Sequence, residues 1–340
     1  MSGASQAIGS GRKRVLLLGA TGTIGRATAR ALRRAGHDVT CLVRDDAIAD
    51  DDDFIGTSVI VADPADRWSL EAVAFGDSSP DIIVSCMASR TGAPEDAWAV
   101  DHDAHQVVLS LAKQHGAEQM VLLSALCIQQ PELAFQRAKL AFEDSLIRSG
   151  LTYSIVRPTA FFKSLSGQIE RVRSGKPFLL FGDGTLTACK PISDRDLAAF
   201  IAGCIDDHAR HNAILPVGGP GEAMTLRAQG EMLFELTGQE PRFQSVSPRI
   251  FSILAKLFGT MGLVVPPLKK KAALLEIAHY YATHSMLVWD SKAGAYDASA
   301  TPSYGTDTLR QHYAAVLGGR TKAALGAHAM FDRQPAVAPP

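Results

Sequence analysis

The chain has 340 residues, 46% hydrophobic and 20% charged, with 34 Lys plus Arg against 35 Asp plus Glu. That composition belongs to a globular protein able to bury a substantial core, and it excludes a largely disordered chain. A formal net charge of −1 gives no bulk attraction to nucleic acid or anionic lipid, so no nucleic-acid partner is expected.

Residues 1–12 are rich in Gly and Ser, lack the apolar core of a signal peptide and are expected to be disordered. Arg14–Leu18 reads as a short apolar strand and Ile24–Ala35 as the helix after it. Strands are predicted at 39–43, 57–62, 81–86, 119–124 and 151–157, with helices at 103–115 and 132–149. Short apolar strands alternating with helices predict a Rossmann-like, doubly wound parallel sheet over 13–157. The run Asp45–Asp53 holds six aspartates and reads as a solvated loop, not a metal site.

After Pro158 the alternation weakens. Residues 161–174 look helical, and 177–190 carry turn signals around Gly182-Asp183-Gly184. A helix over 193–207 opens on Ser193 or Asp194 as its cap, and 214–217 is a further strand. Long helical patterns follow at about 225–237, 248–262 and 269–285. Residues 158–320 therefore read as a mainly helical substrate-binding part packed on the sheet edge, with 189–217 returning to the Rossmann core. The tail 321–340 is expected to be disordered. The most membrane-like stretch, 250–268, is broken by Lys256, Gly259, Gly262, Pro266 and Pro267. It makes a poor spanning helix and reads as a buried wall, a lid or a peripheral membrane contact. The five cysteines form no CxxC pair and no Cys/His zinc spacing. Reduced thiols, a cytoplasmic location and no protein-bound metal are expected.

Gly19-Ala20-Thr21-Gly22-Thr23-Ile24-Gly25 lies between the first strand and the first helix. In that context Gly19 permits the tight turn, Gly22 lets a pyrophosphate approach the backbone, and Gly25 lets the helix pack on the strand. Thr21, Thr23 and Ile24 complete the cofactor turn, whose amides meet the anion. Arg44 closes the second strand where NAD binders carry an acid. A guanidinium there suits a 2′-phosphate and favours NADPH. Arg26 is a second candidate for that end. Asp63, closing the third strand, is a candidate acceptor for the adenine amino group.

The glycine turn, Arg44, Arg157-Pro158-Thr159 and Pro191-Ile192-Ser193-Asp194-Arg195-Asp196 together resemble the atypical, extended short-chain dehydrogenases of the NmrA-like group. More specifically, Leu122-Leu123-Ser124-Ala125-Leu126-Cys127 and Phe135-Gln136-Arg137-Ala138-Lys139 resemble the NADPH-dependent divinyl chlorophyllide 8-vinyl reductases. The likeness runs from about Lys13 to Gly318 and includes Lys190-Pro191-Ile192-Ser193 and Tyr280-Tyr281-Ala282-Thr283-His284. It implies reduction of an 8-vinyl group to ethyl on a chlorophyllide-type tetrapyrrole, in chlorophyll or bacteriochlorophyll synthesis. It also implies that Pro158, Thr159 and Phe161 pass near the nicotinamide.

Short-chain dehydrogenases pair a Ser with Tyr-x-x-x-Lys. This chain keeps Ser124 and Lys139 as catalytic candidates, Lys139 also as a cofactor contact, but places Phe135 at the tyrosine position. A carbonyl reductase needs an acid for the developing alkoxide, and Phe135 cannot serve. Hydride added to a conjugated vinyl terminus instead spreads its charge into the macrocycle, so the missing tyrosine fits C=C reduction. The proton then comes from water or another side chain. The flat, greasy substrate calls for an apolar pocket, for which Phe161, Phe162, Phe251, Leu254, Leu257 and Phe258 are candidates. Lys269-Lys270-Lys271 is a solvated face or an anchor for the propionate. Two alternatives remain: an NADP(H)-sensing or assembly protein without turnover, and a reductase of another conjugated alkene. A sugar-nucleotide epimerase is disfavoured because its chemistry uses the tyrosine. The oligomeric state is not legible.

Overall fold

The computed structural model describes residues 11–44, 52–76, 79–262, 265 and 267–321. The two expected disordered ends fall almost wholly outside these residues, as do Asp45–Asp51 of the aspartate run.

The first half alternates as predicted. Strand β1 (Arg14–Leu18) leads into α1 (Thr23–Arg34), β2 (Asp38–Val43), β3 (Ser58–Val61), α2 (Arg67–Ala74) and β4 (Ile82–Ser85). Helix α3 (Pro94–Trp98) runs through a π-helical turn, Ala99–Ala104, into α4 (His105–Gln114). Strand β5 (Gln119–Leu123), α5 (Ala134–Ile147) and β6 (Thr152–Pro158) follow. The second half holds α6 (Phe162–Leu165), α7 (Ile169–Arg173), β7 (Phe178–Phe181), β8 (Ala188–Cys189), α8 (Asp194–Gly203), β9 (Ala213–Val217) and β10 (Met224–Thr225). It ends with α9 (Leu226–Thr237), β11 (Phe243–Val246), α10 (Arg249–Met261), α11 (Pro267–Thr283), β12 (Val288–Asp290), β13 (Ala295–Asp297) and α12 (Leu309–Leu317).

Seven strands form one sheet in the order β3-β2-β1-β4-β5-β6-β9, all in parallel. Strand order reverses between β1 and β4, and such a reversal opens a crevice at the carboxyl ends of the strands. Alternation along β1 sorts the core into two layers. Val15 and Leu17 face a cluster with Leu32 of α1 and Leu197 and Ile201 of α8. Leu16 and Leu18 face the other, with Leu70 of α2, Leu111 of α4 and Phe142 of α5. Each such fully buried leucine contributes roughly 2 kcal/mol of transfer free energy. Strand β9 and helix α8, late in the chain, thus belong to the same core as β1.

The expected helix over 161–174 is broken. Gly167 sits in a 3₁₀ turn, Ser166–Gln168, between α6 and α7, and Ser166 Oγ donates to the Phe162 carbonyl instead of continuing the helix. The predicted turn region 177–190 contains a strand on the apolar run Phe178–Phe181, which pairs in parallel with β11. The β12–β13 hairpin and α12 had no place in the sequence reading. Thr308 and Gln311 form a capping box at the start of α12, a spacing visible in the sequence.

Candidate active site

The glycine turn sits at the switch point. Gly19 has φ +69°, and a Cβ there would lie 2.6 Å from the backbone of Cys86 and Met87 just beyond β4. A Cβ at Gly25 would lie 2.1 Å from the Gly19 carbonyl oxygen. Gly22 differs: its nearest neighbour would be the Gly19 oxygen at 3.4 Å, so the space above it is open. Gly22 is also the N-cap of α1, and no side chain caps that helix. The first-turn amides of Thr23, Ile24 and Gly25 are therefore left for a ligand.

Lys163, in α6, crosses to this turn. Its Nζ donates to Thr23 Oγ1 at 2.6 Å, and burial lowers its pKa, opposed only by the more distant charge of Asp194. A cation at the positive end of a helix dipole is unfavourable by itself and becomes favourable with an anion between them. Lys163 is not among the residues expected at the site from sequence. Its signal was a lysine two residues past Phe161, in the loop expected to pass the cofactor.

The far end of the crevice holds Arg44, exposed just past β2, and Asp63, whose Oδ1 accepts from Ala65 N at 2.9 Å in its own turn. Arg26 is committed elsewhere: it pairs with Asp53 at 3.0 Å, donates to the Thr21 carbonyl and lies over the Phe54 ring. Arg30 pairs with Asp53 as well. This member of the aspartate run is thus no free solvated loop residue. It ties residues 52–54 to α1.

At the centre, Ser124 follows β5. Its Oγ is buried with no hydrogen-bond partner among the described residues. Lys139 Nζ bonds Asp101 Oδ1 at 2.9 Å, and the Asp101 carboxylate is fully buried. Asp101 also accepts from Ser89 Oγ at 2.6 Å and Ser89 N at 3.3 Å. Asp101 lies in the π-helical turn, a geometry common at functional sites. Next to it, His105 bonds Ser85 Oγ and the Val100 carbonyl, each at 2.8 Å. Burial, then the Lys139 charge, pushes His105 down to about 4. Lys139 therefore stands fixed and charge-paired, with two N–H groups left for a ligand. Neither Asp101 nor the π turn was predicted; a single aspartate inside a helical pattern carries no such signal.

Phe135 occupies the tyrosine position and packs against the cluster of Cys127, Ile128 and Tyr280, as Tyr281 does. Gln136 beside it is buried, accepts from Glu132 N and Leu133 N, and donates to the Cys127 carbonyl.

The other candidates differ in how far their side chains are already engaged. Thr159 is buried, with Oγ1 donating to the Lys190 carbonyl and N to the Val217 carbonyl, so its hydroxyl is not free for a cofactor. Pro158 is buried at the end of β6. Phe162 is core: it packs in the α6–α7–α9–α12 cluster against His312 and does not line a pocket. Phe161 is half-buried at the sheet end. On α10, Phe251, Leu254 and Phe258 share the half-buried side, Phe251 against Phe181, whereas Leu257 is 50% exposed and points outward. Arg157 forms an ion pair with Glu143, and Lys190 donates to the Thr301 carbonyl. These parts of the quoted motifs hold the fold. His284 stacks on Tyr280 at 4.2 Å, and His279 bonds the Pro248 carbonyl. Among the described residues there is no cluster that could hold a metal ion.

An uncapped helix start, a glycine cradle, a lysine bonded to the first residue of that helix and a buried hydroxyl with no partner among the described residues fit a dinucleotide. The fold and site define a short-chain-dehydrogenase-like protein. A family profile described as NAD(P)H-binding matches residues 19–208. The chain is 46% identical to the divinyl chlorophyllide a 8-vinyl-reductase, chloroplastic, of Oryza sativa subsp. indica, over 89% of this chain and 78% of that one. It is 43% identical to the protein of the same name from Arabidopsis thaliana, over 89% and 76%. An NADPH-dependent quinone oxidoreductase from Escherichia coli, solved with NADPH, shares the fold at TM-score 0.67 and 19% identity, over 89% and 99%. The chain belongs to the divinyl chlorophyllide a 8-vinyl-reductase family.

Proposed function

We propose that the protein reduces the 8-vinyl group of divinyl chlorophyllide or protochlorophyllide to ethyl with NADPH. The carrying observation is Phe135 in the tyrosine position, beside a retained Ser124 and Lys139, in a chain of this family. Ketone reduction would strand an alkoxide against a phenyl ring, at a cost of several kcal/mol in lost acid catalysis. A vinyl group conjugated to a macrocycle makes no localised oxyanion. When bound, NADPH supplies the hydride.

The residues then divide by position. The first-turn amides with Gly19, Thr21, Gly22, Thr23, Ile24, Gly25 and Lys163 hold the pyrophosphate. Arg44 reads the 2′-phosphate and Asp63 the adenine amino group. Lys139, oriented by Asp101, holds the nicotinamide ribose, and the Ser124 hydroxyl gains its missing partner from the cofactor. Pro158 and Phe161 wall the nicotinamide side. Phe161, Phe251, Leu254 and Phe258 offer apolar surface to the ring. The test is incubation with divinyl chlorophyllide a and either NADPH or NADH, following the Soret band and product mass. An NADPH-dependent two-hydrogen gain supports the reading. Unchanged pigment with NADPH demonstrably bound overturns it.

We further infer a peripheral membrane contact. No described helix is long and apolar enough to cross a bilayer. Yet α10 turns Ile250, Ile253, Leu257 and Met261 outward, 46%, 64%, 50% and 47% exposed. Between 249 and 275 the sequence holds Arg249, Lys256, Lys269, Lys270 and Lys271 and no Asp or Glu. An apolar row flanked by cations suits an anionic lipid surface, each cation contributing about 1 kcal/mol. Co-sedimentation with anionic vesicles, lost in I253E/L257E and absent with zwitterionic ones, supports it. Equal recovery from both lipids overturns it.

A further inference from the structure

We propose that Tyr281 is the proton donor that replaces the missing tyrosine at position 135. This rests on the vinyl-reduction reading.

Hydride at the vinyl terminus leaves an electron pair spread from the inner vinyl carbon into the macrocycle. One proton must reach that inner carbon to complete the ethyl group. Phe135 carries none, and Lys139 is held by Asp101. Helix α11 brings two tyrosines to the same place, and their side chains diverge by about 100° around the helix. Tyr280 is spent on structure. It is fully buried, and its hydroxyl bonds the carbonyls of Cys127 at 2.7 Å and Gln130 at 3.0 Å. Those bonds fix α11 against the β5–α5 connection. Tyr281 is then left half-buried, its Oη 3.7 Å from Cys127 Sγ. A thiol is a weak partner, so the phenolic proton is not committed to a strong acceptor.

The location matches the requirement. Cys127 lies three residues beyond Ser124, Phe135 packs in the same cluster as Tyr281, and the Lys139 charge is felt at the Cys127 thiol. The fold thus carries a phenol, on a different helix, to the Cys127 thiol in the segment that follows Ser124 and to the cluster on which Phe135 packs. Burial, followed by the neighbouring Cys127, raises the Tyr281 pKa well above 10, so the group keeps its proton across the physiological range. In the step, the Tyr281 O–H bond breaks as the C–H bond forms at the inner vinyl carbon. The phenolate then takes a proton from water. Hydride and proton together give the ethyl group, and NADPH leaves as NADP⁺.

The test uses the full chain with divinyl chlorophyllide a and NADPH, comparing Y281F with the double variant F135Y/Y281F. Y281F should fold, bind NADPH within about twofold of the parent and lose roughly 10²-fold or more in kcat, the usual share of a general acid. Its residual turnover should show a changed solvent deuterium isotope effect, which lost packing would not produce. Returning the hydroxyl at Phe135 should recover about tenfold or more of the loss, because a positioned acid is again present. Y281F turnover within about threefold of the parent overturns the role, since a general acid typically contributes about 10²-fold or more. So does a large loss with an unchanged isotope effect and no recovery in the double variant. A parent chain that binds NADPH and leaves the vinyl group intact removes the function itself, and this role with it.

Discussion

Lys163 Nζ lies 2.6 Å from Thr23 Oγ1, which sets a lysine 140 positions along the chain against the first residue of α1. The half-buried ammonium meets the positive end of the helix dipole, so the contact is costly until an anion joins it. K163M should weaken NADPH binding about 10–100-fold, the worth of a charge-assisted hydrogen bond. The ligand-free protein should melt no lower than the parent, because an uncompensated cation has gone. Fluorescence titration and a thermal melt check both. A variant that binds NADPH normally places the lysine outside the cofactor site.

The glycines separate binding from folding. In G25A the new methyl would meet the Gly19 carbonyl at 2.1 Å, so α1 must shift off β1, at a cost of several kcal/mol. In G22A the methyl has room, and the cost is about 1 kcal/mol for a poorer N-cap. On the proposed reading, G22A should stay folded while its affinity for NADPH falls at least about tenfold, because the methyl would stand where the pyrophosphate approaches the backbone. Calorimetry with binding titrations distinguishes the two. Equal stability of both variants would contradict the close packing at Gly25.

The sheet was legible because its information is local. Val15 to Leu18 alternate between two buried layers, and Gly19 and Gly25 each make a close backbone approach that a side chain would block. Ser124, Lys139 and the substitution at Phe135 were legible as a spacing. What was not legible came from distant segments meeting: Lys163 at Thr23, Asp101 under Lys139, Tyr281 beside Cys127. Thr159 and Phe162 misled for the same reason. Both sit where a cofactor loop is expected, but Lys190 and His312, remote in sequence, claim their side chains.

On the proposed reading, Arg44 carries cofactor choice. It stands exposed where the second strand ends, near enough for its charge to act on Asp96, and a guanidinium there can pair two N–H groups with a 2′-phosphate. R44S should lower the preference for NADPH over NADH by roughly 10–100-fold in kcat/KM, mostly through KM for NADPH. NADH turnover should change little. Steady-state kinetics with both cofactors is the check, and an unchanged ratio would move 2′-phosphate recognition to another residue.

Acid stability follows from His105. Burial, with Lys139 nearby, moves its pKa from 6.5 down to about 4, and its ring nitrogens are already bonded to Ser85 and Val100. The folded protein therefore keeps this imidazole neutral, while the unfolded chain protonates it near 6.5. Below that pH the unfolded state binds more protons, so stability falls as pH drops from 6.5 and the loss is complete near 4, at about 3 kcal/mol. His37 and His312 are also lowered by burial and add to the same trend. H105N removes the titrating group. Urea unfolding at about pH 7 and about pH 5 should show a drop some 2 kcal/mol smaller in H105N than in the parent, whatever the variant's absolute stability. An identical drop in both proteins would mean that His105 takes its proton as readily inside the fold as outside it. That would be incompatible with a buried ring bonded on both nitrogens beside a lysine.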